Sequence, residues 1–112
     1  MIDCVFCKII SGEKKEELFY EDDEVVAFND MNPRTPIHIM IAPKKHFDDF
    51  ESMMENEPAL LNGIGIAVKN LVKQLKIDGK PYTWGFHCGG KQSVYHVHAG
   101  LLAGMGEEDL VL

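Results

Sequence analysis

The 112-residue sequence predicts an α+β fold: an antiparallel sheet of about five strands, one long helix and a short helix near the N-terminus. Three observations carry that expectation. Strand-like runs recur at 18–21, 25–30, 37–43, 81–88 and 95–101; a single long segment, 58–77, has helical periodicity; and the gaps between them are rich in Gly, Pro, Asn and Asp.

Taken in order, Val5, Phe6, Ile9 and Ile10 suit a short amphipathic helix closed by Gly12. Leu18–Glu21 and Val25–Asp30 flank the acidic turn Asp22-Asp23-Glu24, a hairpin signal. Pro33 and Pro36 make 31–36 a loop. Ile37–Pro43 is almost continuously apolar, as an interior strand is, with His38 interrupting it. Lys44-Lys45-His46-Phe47 forms a basic turn, and 48–57 a short helical turn and loop. Leu60, Leu61, Ile64, Val68, Leu71, Val72 and Leu75 define the long helix, with Pro58 in its first turn and Asp78-Gly79 as its stop. Gly63 and Gly65 weaken that helix intrinsically but permit close packing on a sheet or on a second copy. The aromatic run 81–88 leads through Gly89-Gly90 into a last strand, expected to be its antiparallel neighbour.

The length fits one domain, residues 1–112, or half of an obligate dimer. A net charge of −7 without a basic stripe argues against nucleic acid as a partner, while leaving local anion sites open. No run approaches the ~18 apolar residues a membrane helix needs. Asp3 stands where a secretion signal carries a basic region, so the expected address is cytoplasmic. Three cysteines, an odd count, do not suggest a disulfide framework.

Two groups of residues carry chemistry. In the last strand, Tyr95, Val97, Ala99 and Leu101 alternate with His96, His98 and Gly100, so one face is apolar and the other presents two imidazoles. The preceding Gly89-Gly90-Lys91-Gln92-Ser93 is backbone that can approach a phosphate closely. Cys4 and Cys7 have CxxC spacing, which reads as half a zinc site, a redox pair or two buried thiols. Two thiolates do not close a zinc site, so two more ligands would have to come from elsewhere.

The combination resembles the histidine triad (HIT) superfamily, most closely its Hint-like branch and the small bacterial zinc-containing members. The matching residues run in family order: Cys4-x-x-Cys7-Lys8-Ile9-Ile10, Tyr20-Glu21-Asp22-Asp23, Ala27-Phe28-Asn29-Asp30, Pro36-Ile37-His38, Ile41–His46 and Gln92-Ser93-Val94-Tyr95-His96-Val97-His98. The resemblance implies a homodimer whose sheets join into one. It implies hydrolysis or transfer at the α-phosphate of a nucleoside phosphoramidate or related purine nucleotide. It places His98 at the nucleophile position, with Ser93 and His38 also catalytic. Val5, Phe6, Ile9, Phe28, Asn29, Asp30, His87, Gln92 and Ser93 fall at nucleotide-binding positions, Asp30 being the ribose-binding acid. Cys4, Cys7, His46 and His96 would be the ligands of a structural zinc ion.

The chemistry stands beside the resemblance. A neutral imidazole with one nitrogen held and the other free can attack phosphorus and split one displacement into two. A Cys2His2 set closes a structural metal site. Two departures bear on activity: Gly100 occupies the third motif position, where relatives carry His or Gln, and His87 replaces an expected asparagine. Three classes follow: an active nucleotidyl hydrolase or transferase, a catalytically weak nucleotide-binding protein, and a zinc-stabilised dimer module.

Overall fold

The computed structural model describes residues 4–92, 94–106 and 110. Five strands, β1 (Leu18–Glu21), β2 (Val25–Asn29), β3 (Ile37–Pro43), β4 (Tyr82–Phe86) and β5 (Ala99–Ala103), form one antiparallel sheet in the order β1-β2-β3-β5-β4. Helix α1 (Val5–Ser11) precedes the sheet, and α2 (Phe50–Asn56) and α3 (Ala59–Gln74) join β3 to β4. The sheet class, the long helix and the N-terminal helix agree with expectation; α2 is a helix in its own right. Its start is capped by Asp49, whose carboxylate accepts from the Ser52 amide at 2.9 Å.

Strand periodicity divides the sheet into two faces. Val25, Ala27, Ile39, Ile41, Ala99 and Leu101 point to α3, where they meet Leu60, Ile64, Ala67, Val68, Leu71 and Val72 in the larger core. Val26, Phe28, Met40 and Ala42 point the other way, to Phe6 and Ile9 of α1. Helix α1 is too short to cover that whole face. Its Gly12 stop, at φ +85° with the amide bonded to the Ile9 carbonyl, ends it above β2 and β3 and leaves the β5–β4 side open.

The long helix lies close to the sheet because Gly63 faces β2: a Cβ there would stand 3.4 Å from Glu24 Oε1 and 3.7 Å from Val25 Cγ2. Gly65 meets nothing within 4 Å. The helix stops earlier than Asp78-Gly79. Its last residue is Gln74, with Leu75 as cap and Lys76 at φ +58°, so a left-handed lysine turns the chain. The Gln74 and Asn70 amides tie the helix to β1 through the Phe19 carbonyl and the Tyr20 hydroxyl, at 2.8 and 3.2 Å.

The expected strand carrying both histidines is corrected. The ladder of β5 begins only at Ala99, and residues 94–98 are irregular. The reason is local competition for the backbone: the Val97 amide bonds to the Phe47 carbonyl at 2.7 Å, and the His96 carbonyl accepts from its neighbour His98. The alternation of direction survives. Val97 joins the α3-side core, while the His96 and His98 rings lie against Phe6. Tyr95, expected on the apolar face, is exposed.

Candidate active site and metal centre

Two sites share the α1 face of the sheet. The first is a cluster of four donors. Cys4 caps α1, its sulfur accepting from the Cys7 amide at 3.3 Å, and the helical turn brings the Cys7 sulfur alongside. His46 follows β3, and His96 comes from the segment before β5. The four ligand atoms lie within 4.8 Å of one another. Individual separations are 3.4 Å for Cys4 Sγ to His96 Nδ1, 3.4 Å for Cys7 Sγ to His46 Nδ1, and 3.1 Å between the two Nδ1 atoms.

The outer nitrogens decide what the inner ones are. His96 Nε2 donates to the Pro43 carbonyl at 2.8 Å, and His46 Nε2 to the Asp48 carboxylate at 2.8 Å. Both Nδ1 atoms are then bare lone pairs facing each other. That is an unfavourable contact for two acceptors and a favourable one around a cation, and a second partner on each outer nitrogen is the usual arrangement of metal-binding histidines. Burial pushes the His96 pKa down to about 4, which keeps the ring in the neutral form a metal ligand needs. Burial, and then the adjacent Cys4, pushes the Cys7 thiol up to about 11. A bound cation reverses that preference and holds the thiolate.

The second site is a cavity of about 410 Å³ between α1 and the open part of the sheet. One end is apolar: Val5, Phe6 and Ile9 from α1 face Phe28 and Met40, with Phe6 set edge-on to Phe28 at 5.2 Å. The other end is polar, with Asn29, Asp30, His38, His87 and His98. Its floor is low because the register pairs Gly85 of β4 with Gly100 of β5, and neither contributes a side chain.

His98 is oriented from one side only. Its Nδ1 donates to the His96 carbonyl at 2.8 Å, while the ring stands edge-on to Phe6 at 5.0 Å, and Nε2 is a lone pair with no partner among the described residues. Burial lowers the pKa of His98, outweighing the hydrogen bond and the nearby Asp30 charge that raise it. His38 is engaged at both nitrogens: the Arg34 amide donates to Nδ1 at 3.0 Å, and Nε2 lies 3.2 Å from Asp30 Oδ2. Burial again lowers its pKa, against the pull of Asp30. Asp30 itself is pinned by the Asn32 amide on its other oxygen, at 2.7 Å.

Of the residues expected at nucleotide or catalytic positions, His98, His38, Val5, Phe6, Ile9, Phe28, Asn29, Asp30 and His87 all line this cavity. Gln92 does not. Its amide nitrogen is bonded to the Val94 carbonyl at 2.8 Å and also to the Asp48 carbonyl. Ser93 lies outside the described residues. The lining also includes Met40, Gly85, Val94, Leu102, Arg34 and others not singled out from the sequence. Strand alternation from His38 points to Met40 two residues on; Gly85 emerges only from the register with Gly100.

Comparison with known proteins gives three kinds of match. The family model described as scavenger mRNA decapping enzyme C-term binding matches residues 3–108. An uncharacterised HIT-like protein of Methanocaldococcus jannaschii is 38% identical over 96 residues, 85% of this chain and 74% of the relative. The adenosine 5'-monophosphoramidase HINT3 of Danio rerio is 33% identical over 102 residues, 89% of this chain and 64% of its own. The solved structure of a histidine triad protein from Clostridium difficile superposes with a TM-score of 0.89 at 38% identity, covering 95% of this chain and 94% of the other. Family match, sequence relatives and fold thus coincide over nearly the whole length, and the chain belongs to the histidine triad (HIT) superfamily.

Proposed function

We propose that the chain is a nucleotidyl hydrolase or transferase acting at the α-phosphate of adenosine phosphoramidates or related purine nucleotides, with His98 as covalent nucleophile. The observation that carries this reading is the state of His98. One nitrogen is held by a backbone carbonyl, the other has no partner among the described residues, and desolvation favours the neutral ring at the edge of a cavity that is apolar at one end and polar at the other. A purine suits the Phe6–Phe28 end, and ribose hydroxyls suit the Asp30 carboxylate. The phosphoramidase activity named for the Danio rerio relative supports the substrate class.

In the first step His98 Nε2 bonds to phosphorus and the amine departs; in the second, water displaces His98 and releases the nucleotide. Ser93, as the resemblance implies, contributes a donor to the phosphate oxygens. Zinc is the ion we assign to the Cys4, Cys7, His46 and His96 cluster. A tetrahedron with zinc–sulfur bonds of about 2.3 Å and zinc–nitrogen bonds of about 2.0 Å has edges of roughly 3.3–3.7 Å. Four of the six donor separations lie at 3.1–3.5 Å, close to those edges. Its chemistry there is structural, joining α1 to the segment that carries His98. The homodimer with a continuous sheet, implied by the resemblance, belongs to the same proposal.

The test is AMP release from an adenosine phosphoramidate by the purified protein and by His98→Ala. Release that depends on His98, with an acid-labile AMP adduct on the protein, is the expected result; equal background rates in both overturn the reading. Gly100 favours a second reading, a nucleotide-binding protein of weak activity, because it offers no donor where relatives have one. A Cβ at residue 100 would meet only His38 Nε2 among the described residues, at 3.7 Å, an ordinary contact, so the first atom of a side chain is accommodated in Gly100→His. A large gain in that variant identifies the natural chain as impaired.

A further inference from the structure

Displacement of an amine from phosphorus needs a proton for the leaving nitrogen, and the cavity contains three imidazoles to consider. His98 uses Nδ1 on the His96 carbonyl and Nε2 on phosphorus. His38 has Nδ1 filled by the Arg34 amide and Nε2 directed at Asp30. His87 differs from both. It lines the same cavity, it is exposed, and its ring has no hydrogen-bond partner among the described residues. The last ladder pair between β4 and β5 is Phe86 with Ala99, so His87 and His98 are the next residues of the two segments. Both residues line the cavity just past that pair. Below it, the Gly85–Gly100 pair leaves the floor clear for a substituent on phosphorus.

We propose that His87 is the proton donor of the displacement and the base of the hydrolysis that follows, a role resting on the function proposed above. As His98 Nε2 bonds to phosphorus, the P–N bond to the amine breaks, and its electron pair takes the proton from protonated His87. Neutral His87 then removes a proton from the water whose oxygen displaces His98, and both imidazoles return to their starting states. This supplies from β4 what Gly100 of β5 cannot.

The test compares two substrates that differ in the need for that proton. One is an adenosine phosphoramidate of an alkylamine, the other an AMP nitrophenyl ester, whose anion leaves unprotonated. His87→Ala and His87→Gln should lower kcat on the phosphoramidate by about 10²–10⁴-fold. On the ester the pre-steady-state burst of nitrophenolate, which reports the first displacement alone, should slow less than roughly tenfold in each. Equal slowing of the first displacement on both substrates assigns His87 to binding alone and overturns the inference, as does full activity of His87→Ala on the phosphoramidate while His98→Ala is dead. Wild-type protein inactive on both substrates overturns the proposed function and this role with it.

Discussion

Phe6 is the side chain on which both sites lean, and its truncation has a calculable consequence. The ring is 3% exposed, stands edge-on to Phe28 at 5.2 Å, and lies 5.7 Å from His96 and 5.0 Å from His98. Removing a buried phenylalanine costs about 3–5 kcal/mol, the transfer of the ring plus the cavity it leaves. A domain of this length has a total stability of roughly 6–17 kcal/mol at ~0.05–0.15 kcal/mol per residue. Phe6→Ala therefore forfeits a substantial share and raises the unfolded fraction by roughly 10²–10⁴-fold. With an unfolding entropy of about 2.1 cal/mol/K per residue, each kcal/mol moves Tm by about 4 °C, so the expected drop is about 13–21 °C. Urea titration of wild type, Phe6→Ala and Phe6→Leu, at one fixed excess of zinc, measures the loss directly. Phe6→Leu, which keeps most of the volume, should stay within about 1.5 kcal/mol of wild type. A loss below about 1 kcal/mol in Phe6→Ala would refute the packing of α1 described above.

Four further outcomes are expected. Elemental analysis should find one zinc per chain in protein purified without chelator and none in Cys4→Ala; metal-free wild type, or unchanged zinc in the variant, contradicts the cluster. Gly100→Ala meets only an ordinary contact and should be neutral or stabilising by up to about 1 kcal/mol. Gly104→Ala should instead cost about 1–2 kcal/mol or more in the same urea assay, because its φ is +90° and a Cβ would stand 3.0 Å from Pro36 Cβ. Asp22 accepts from the Glu24 and Val25 amides and the Tyr20 hydroxyl, each at 2.8 Å. Burial opposes its charge, but those bonds and Lys44 prevail and hold its pKa below 3.8. Its contribution is therefore present above the unfolded value and lost as pH falls through the lower folded one. The gap in stability between wild type and Asp22→Ala should shrink over that acid range and stay constant at neutral pH.

What could be read from the sequence was what local pattern determines. The β1–β2 hairpin and the limits of β3 at Ile37 and Pro43 follow from alternation, a tight acidic turn and a proline stop. The face of α3 follows from its periodicity. What could not be read is settled between distant residues. The His96–His98 segment looks like a strand by alternation, yet the Phe47 carbonyl takes the Val97 amide and His98 turns back on its neighbour. The helix stop moved to Lys76, a residue type that rarely adopts positive φ and so carries no local signal. In the site, Asp30, His38 and His98 were legible through motif resemblance. The place of His38 beside the space a Gly100 Cβ would fill, and the double engagement of His38, needed the strand register and the fold of the 30–38 loop.

The donor cluster also imposes an order on the chain's birth. Cys7 and His96 are separated by 89 residues, with His46 between them. At about 5–20 residues per second, the ribosome delivers the last ligand roughly 4–18 s after the second thiol. Throughout that interval Cys4 and Cys7 are free thiols on an unanchored helix, open to oxidation or to capture by other metals. The surroundings in which the chain is made thus decide whether the proposed ion adds its hold on α1 to that of the Phe6 and Ile9 packing, before any substrate is met.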